Sequence, residues 1–241
     1  MFAGTHIHLR TIRRLAVAAT AVGALAFAGP AAASIQVGGG SPGQVEKASL
    51  AYVDWDDVND YVSIYVDDKS TSTHDDDIIT FASGGHQLTP VNGCWSHDIY
   101  TVKCYGAKFD EIRIYGNGGH DTFLVQFKTQ WALRMWLGSG SDWVEGSPFG
   151  DEIHGGPGAD FIYGHGGQDK LYADGGGGVL DGGANNDQLY SSQATAEEDN
   201  CGTGIDKVVA SEGDTLTGCE KIFGTYAQWL KGAGKWIKLG R

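Results

Sequence analysis

The chain has 241 residues, of which 38 are glycine and only 5 are proline, and its formal net charge is −13. The glycine share is high, but the scarcity of proline excludes a collagen-like chain, and the 11% of aromatic residues excludes a fully disordered one. An acidic surface repels nucleic acid and anionic lipid and attracts cations. We therefore expect no nucleic-acid partner.

Residues 1–33 predict a secretory signal peptide. Three arginines precede an apolar run over residues 15–28, which is too short to span a bilayer, and Ala31–Ala33 supplies a cleavage site of small residues. We expect cleavage after Ala33, export to the extracellular space and no transmembrane segment. Removal of the three arginines leaves 14 basic against 30 acidic side chains, a net charge of −16.

Residues 34–115 predict an N-terminal antiparallel β cap, because segments such as Tyr61–Val66 and Ile99–Val102 alternate apolar and polar side chains. Such a cap would cover the open end of a stack of strands. The acidic run Asp75–Asp77 indicates a solvated hairpin tip, with metal binding as the alternative.

Four cysteines follow the signal segment, and an exported chain favours disulfides. Closeness in sequence predicts the pairs Cys94–Cys104 and Cys201–Cys219. The two crossed connectivities remain as alternatives. A zinc site is disfavoured because the chain has no Cys-x-x-Cys.

A period of nine residues runs from Leu137 to Tyr190. Its six blocks read LGSGSDWVE, GSPFGDEIH, GGPGADFIY, GHGGQDKLY, ADGGGGVLD and GGANNDQLY. The sixth position is Asp142, Asp151, Asp160, Asp169, Gly178 and Asp187. The eighth position is always aliphatic: Val144, Ile153, Ile162, Leu171, Leu180 and Leu189.

This period predicts glycine-rich turns that alternate with short strands, with the eighth residue pointing inward. Two blocks would form one coil of 18 residues, and stacked coils would share a narrow aliphatic core. The expected fold is therefore all-β, a parallel β-roll over residues 116–200, between the N-terminal antiparallel β cap and a disulfide-stapled C-terminal cap over residues 201–222.

The core does not explain the aspartates. Stacking should bring Asp142 close to Asp160 on one edge, and Asp151, Asp169 and Asp187 together on the other, at about a strand spacing of ~5 Å. Carboxylates that close repel unless a divalent cation lies between them. Carboxylates and turn carbonyls, without nitrogen or sulfur, suit calcium. A turn preference explains aspartate in a turn but not at one fixed position.

The block at Gly155–Tyr163 matches GGxGxDxUx at every defined position and so resembles the RTX (hemolysin-type) repeat of secreted bacterial calcium-binding proteins. The resemblance implies calcium sites made by turns one coil apart. The first would use Gly138, Gly140, Asp142, Gly155, Pro157 and Asp160. The second would use Ser147, Phe149, Asp151, Gly164, Gly166 and Asp169. The third would use His165, Gly167, Asp169, Gly182, Ala184 and Asp187. Phe149 stands in place of a glycine and could distort its turn, and Gly178 lacks the carboxylate, so a site there should be weak or empty.

The repeat continues imperfectly on both sides. Residues 116–124 place Asp121 at a sixth position, and a bulged strand could still pair it with Asp142, 21 residues on. Residues 201–209 keep the repeat behind Cys201. The basic tail, residues 223–241, predicts an amphipathic helix that packs on the roll or, alternatively, contacts a membrane or cell-envelope surface.

The sequence contains no His-Glu-x-x-His, so the metalloproteases that carry such repeats are not matched. We therefore expect a calcium-dependent structural or binding module, not an enzyme. The alternative is a secreted hydrolase with an unrecognised active site that uses the repeats for calcium-dependent folding. The sequence favours no oligomeric state.

Overall fold

The computed structural model describes residues 32–38, 49–53, 58–67, 78–84, 87–90, 94–105, 111–126, 131–191, 197–211 and 213–224. These ranges form strands and no helix, so none of the described segments is a membrane-spanning helix. The first ten strands are β1 (Ala32–Gly38), β2 (Ser49–Val53), β3 (Tyr61–Asp67), β4 (Ile78–Ser83), β5 (Gln87–Thr89), β6 (Cys94–Asp98), β7 (Thr101–Tyr105), β8 (Glu111–Tyr115), β9 (Thr122–Val125) and β10 (Ala132–Trp136). The others are β11 (Trp143–Glu145), β12 (Glu152–His154), β13 (Asp160–Tyr163), β14 (Lys170–Tyr172), β15 (Gly178–Asp181), β16 (Gln188–Tyr190), β17 (Glu197–Asn200), β18 (Lys207–Ala210), β19 (Thr215–Thr217) and β20 (Lys221–Gly224).

From β8 onward, successive strands alternate between two parallel sheets, so the chain winds as a solenoid. Sheet 1 has the order β20-β18-β16-β14-β12-β10-β8-β2-β1-β5, and sheet 2 has the order β19-β17-β15-β13-β11-β9-β3-β4-β7-β6. The predicted all-β fold with parallel stacked strands is confirmed. The turns between the sheets form two edges, and these edges carry the candidate site.

The 18-residue coil sets the register through the centre of the roll. Leu171 pairs with Ile153 and with Leu189 in sheet 1, and Ile162 pairs with Val144 and with Leu180 in sheet 2. All six side chains are buried, as the eighth-position rule predicts. Inward-facing aliphatic side chains from the two sheets therefore form one continuous core.

The outer face of sheet 1 carries a second row of contacts between coils. The rings of His154, Tyr172 and Tyr190 stack nearly parallel, with centroids 4.2 Å and 4.5 Å apart. Tyr115 and Trp136 extend the row on the N-terminal side. Stacked aromatic rings add to the backbone ladder in holding successive coils in register.

The N-terminal cap is antiparallel where strands turn back on themselves, in the pairs β1–β2, β3–β4, β4–β7 and β6–β7. It also continues the roll directly, because β2 pairs with β8 and β3 pairs with β9 in parallel. The disulfide Cys94–Cys104 joins β6 to β7. Residues 1–31, most of the predicted signal peptide, and Asp75–Asp77 lie outside the described residues.

The C-terminal coils keep both sheets but change their length. Lys207 pairs with Gln188, 19 residues earlier, and Lys221 pairs with Lys207, only 14 residues earlier. The disulfide Cys201–Cys219 connects the turns that follow β17 and β19, so both predicted cysteine pairs are confirmed. Of the predicted tail, residues 225–241 lie outside the described residues.

Close stacking of the turns gives a test of the glycine-rich sequence. Gly158 and Gly175 both have a left-handed φ, +153° and +142°. A Cβ on Gly158 would overlap the carbonyl oxygen of Gly140 one coil away, whereas a Cβ on Gly175 would meet no atom within 4 Å. Both alanine variants carry backbone strain of about 1 kcal/mol or more. Only Gly158→Ala should lose a further ~1–3 kcal/mol of stability through overpacking. The measurement is the free energy of unfolding by urea in the presence of calcium. Equal losses would contradict this account of the stacked turns.

Candidate metal centre

The sixth-position aspartates, together with Asp60 of the cap, form two rows, one along each edge of the roll. The first ladder is the row Asp60, Asp121, Asp142 and Asp160, and the second ladder is the row Asp151, Asp169, Asp187 and Asp206. Every one of these side chains is 3% exposed or less. Each precedes or begins a strand, so the stacking of strands also stacks the carboxylates.

Hydrogen bonds from backbone amides to side-chain carboxylates connect neighbouring rungs in the same way along both edges. In the second ladder the amide N–H of Asp151 donates to Oδ1 of Asp169 at 2.7 Å, and that of Asp169 donates to Oδ1 of Asp187 at 2.9 Å. In the first ladder the amide of Asp142 donates to Oδ1 of Asp160 at 2.9 Å. Each such bond uses one oxygen of a carboxylate and holds the side chain along the edge.

The second carboxylate oxygen of most ladder aspartates accepts no hydrogen bond from the described residues. Within the described part of the chain, Oδ2 is buried and accepts no hydrogen bond in five aspartates: Asp142, Asp160, Asp169, Asp187 and Asp206. A buried anionic oxygen without a partner is strongly unfavourable, and its repetition at one position requires an explanation. Hard oxygen atoms in a periodic row fit calcium.

The same environment opposes ionisation of the ladder. Burial raises the pKa of Asp160 and Asp187 to about 7 and that of Asp169 to about 9. The negative charges of neighbouring rungs raise the pKa of Asp169 further, since Asp151 and Asp187 lie on either side of it. Without a cation, these rungs resist carrying their charges at neutral pH.

The predicted carbonyl ligands lie in the turns beside these carboxylates. A Cβ on Gly155 would overlap Oδ2 of Asp160, and one on Gly164 would overlap Oδ2 of Asp169, so each aspartate folds back over its own turn. The carbonyl of Pro157 accepts a hydrogen bond from Gly140 at 2.9 Å. The carbonyl of His165 accepts one from Ala184 at 2.8 Å. The structure therefore places these predicted ligands in stacked turns, and the assignment of carbonyls to ions stays a prediction.

Asp151 differs from the other rungs because Ser147 captures its carboxylate. The Ser147 amide donates to Oδ2 at 2.6 Å and its hydroxyl donates to Oδ1 at 2.8 Å. The hydroxyl of Ser147 also lies 3.3 Å from the carbonyl oxygen of Phe149, in the turn where the repeat lacks its glycine. The second predicted site is therefore the least open to an ion.

Sequence reasoning missed two rungs, Asp206 and Asp60, whereas it named the pairing of Asp121 with Asp142. Asp206 sits at the sixth position behind Cys201, and its Oδ1 accepts the amide of Asp187 at 2.7 Å; the repeat itself was a signal for it. The pairing of Asp121 with Asp142 occurs, because the Asp121 amide donates to Asp142 Oδ1 at 2.8 Å. Asp60 extends this row, because its amide N–H donates to Asp121 Oδ1 at 2.8 Å. Its place just before β3 is the only feature of the sequence that could have indicated this role.

Two further acids are buried in β17. Asp199 stands in the row of core residues, paired with Leu180 and Leu216, and its Oδ2 accepts the hydroxyl of Ser191 at 2.6 Å. Glu197 is 2% exposed, and burial raises its pKa to about 9, with additional contributions from the charges of Asp199, Asp214 and Asp160. Sequence reasoning missed both, because they lie outside the regular period.

Side chains alone do not build a metal cage here. Among the residues that the structure describes, no three His, Cys, Asp or Glu side chains are grouped closely enough to hold a metal ion. A calcium ion in either ladder would therefore depend on two carboxylates together with backbone carbonyls. Hard cations accept such mixed oxygen ligands.

Comparison with protein families supports this assignment. The family described as the RTX calcium-binding nonapeptide repeat (4 copies) matches residues 136–171 and 145–180. No curated protein matches the chain, and no solved structure matches it. The matched residues carry the central rungs of both ladders. Residues 136–180 therefore match the RTX nonapeptide repeat, and in the structure they stack as part of a β-solenoid.

Proposed function

We propose that this chain is a secreted calcium-binding protein whose roll becomes ordered when calcium binds in the two ladders, and that it works as a structural or binding module, not as an enzyme. The observation that carries the proposal is the repeated buried Oδ2 atom without a hydrogen-bond partner. Calcium would convert the mutual repulsion of these carboxylates into attraction. The ions would lie between turns one coil apart, as the predicted ligand sets specify.

Two further observations support export and calcium dependence. Both disulfides join residues close in space at the ends of the roll, and such bonds persist in oxidising compartments, where calcium is also plentiful. The aliphatic core is only one side chain deep on each sheet over β11–β16. A core this narrow offers little apolar burial to offset the repulsion between carboxylates.

A calcium titration of metal-free protein tests the proposal. We expect the far-ultraviolet β signal and the melting temperature to rise together, with a midpoint of roughly 10⁻⁴–10⁻³ M, the range of extracellular calcium modules. Magnesium is the control, because it requires a smaller and more regular set of ligands and should give little response. A metal-free protein with the same β signal and melting temperature as the calcium-bound form would refute calcium-dependent folding.

A further inference from the structure

The first ladder is interrupted at Gly178. In sheet 2, Asp160 pairs with Gly178, and Gly178 pairs with Glu197. Gly178 has a left-handed φ of +154°, and a Cβ there would overlap the carbonyl oxygen of Asp160. The amide of Asp160 donates instead to the carbonyl of Gly177 at 3.1 Å. No side chain therefore fits at this rung, and a substitution such as Gly178→Asp would be strained before it could supply a ligand.

Glu197 resumes the ladder one coil further on. Its amide donates to Oδ1 of Asp214 at 3.2 Å, the same kind of bond that links the other rungs. Its side chain is 2% exposed, and neither carboxylate oxygen accepts a hydrogen bond within the described residues. The backbone position is thus satisfied, while two buried carboxylate oxygens have no hydrogen-bond partner.

Asp160 and Glu197 face one another across the interruption. Both line the same narrow crevice, together with Gly177 and Gly178. The glycines contribute only backbone atoms to it. Asp160 is close enough for its charge to act on Glu197, and its Oδ2 is also buried without a partner. Two carboxylates with unused oxygens therefore share one space.

We propose that this crevice, the Gly178 crevice, is a divalent-cation site in which Glu197 supplies the carboxylate that Gly178 lacks. The Cα atoms of Asp160 and Glu197 are two strand spacings apart, roughly 9–10 Å. An aspartate and the longer glutamate can span that distance through one ion with oxygen bonds of about 2.4 Å. An oxygen-only set selects a hard cation of the calcium class. The proposal rests on the proposed calcium function for the identity of the ion, but one of its two ligands, Glu197, lies outside the regular repeat.

Such a site would tie β17 to the regular roll. Backbone pairing through Gly178, which has no side chain, already connects the row at Asp160 to Glu197, and the cation would add a link between the side chains. The cation would therefore couple calcium binding in the repeats to the order of the coil that the Cys201–Cys219 disulfide closes.

The test is Glu197→Gln, with Glu198→Gln as matched control. Glu198 is the next residue in β17 and is exposed, so both variants remove one negative charge from the same strand. Equilibrium dialysis over free calcium of roughly 10⁻⁵–10⁻² M should show about one ion fewer per chain for Glu197→Gln and no change for Glu198→Gln. The calcium-induced rise in melting temperature should also shrink only in Glu197→Gln.

Two outcomes would overturn the proposal. One is unchanged calcium binding by Glu197→Gln. The other is a change in its metal-free stability alone, which would indicate a shared proton in place of a cation. Glu197→Asp keeps the charge but is one methylene shorter, so it should bind more weakly than the wild type and decides the matter if the amide variant does not fold. Asp169→Asn distinguishes failure of the Gly178 crevice from failure of the proposed function. If Asp169→Asn loses calcium and Glu197→Gln does not, only the Gly178 crevice is refuted. If the wild-type chain binds no calcium, the proposed function itself is refuted.

Discussion

Asp169→Asn should remove much of the bound calcium while leaving the shape of the side chain nearly unchanged. Asp169 is a middle rung: its Oδ1 accepts the amide of Asp151, and its own amide donates to Asp187. Its Oδ2 is buried without a partner, so in the proposed arrangement it serves ions on both sides. We expect about two ions fewer per chain and at least 10- to 100-fold weaker binding, roughly the loss seen even for outer-shell partners of metals.

Asp151→Asn is the matched comparison for that result. It makes the same chemical change on the same ladder, but Ser147 already donates to both oxygens of Asp151. We therefore expect a smaller loss of calcium from Asp151→Asn, measured by equilibrium dialysis of both variants under the same conditions. Equal losses would contradict both the sharing of Asp169 by two ions and the effect of the contacts with Ser147. No loss from either variant would exclude the second ladder as a calcium site.

Much of this architecture follows from one period in the sequence. An aliphatic residue every nine positions predicts the buried row from Val144 to Leu189, and an aspartate two positions earlier predicts the two ladders. These predictions succeed because each block is a complete structural unit that repeats its own contacts. The two disulfides follow for a similar reason, since each closes a short loop at one end of the stack.

The rungs outside the regular nine-residue period lie where coil length changes. Asp121 and Asp142 are 21 residues apart, and Asp187 and Asp206 are 19 apart, yet both pairs share a ladder hydrogen bond. Strand pairing fixes this register in space, whereas a fixed period of nine residues does not by itself detect it. Glu197 illustrates the same limit, because its relation to Asp160 passes through a residue without a side chain.

The hydrogen bonds between Ser147 and Asp151 escaped prediction for a different reason. A serine four residues before an aspartate is common in turns, and nothing in the spacing says which oxygen the hydroxyl will reach. Phe149 indicates an altered turn at this block, but the consequence for the carboxylate depends on side-chain conformation. A ligand set that is inferred from the repeat pattern therefore fails first in a block that departs from that pattern.

Without metal, the protein should be most stable in mild acid and should lose stability as the pH rises. Burial raises the pKa of Asp160 and Asp187 to about 7 and that of Asp169 and Glu197 to about 9. Because these folded-state values exceed those of the unfolded chain, the folded form retains protons that the unfolded form has lost, and its stability falls between about pH 4 and about pH 9. A carboxyl whose pKa rises from 3.8 to about 7 is already ionised in the unfolded form at a pH where the folded form still keeps its proton, so ionisation of this carboxyl lowers the unfolding free energy as the pH rises toward 7.

Calcium should reverse this trend, because it binds the ionised carboxylates and releases their protons. Thermal unfolding of metal-free and calcium-loaded protein at about pH 5 and about pH 8 should show a small stabilisation by calcium in acid and a large one in base. Metal-free protein prepared on a chelating resin avoids the pH dependence of a soluble chelator, and a weakly buffered calcium titration near pH 7 should acidify the solution. If calcium raised the melting temperature equally at both pH values, the ladder carboxylates would already be ionised in the metal-free fold. The cost of ionising buried carboxyl groups would then not be what calcium binding offsets.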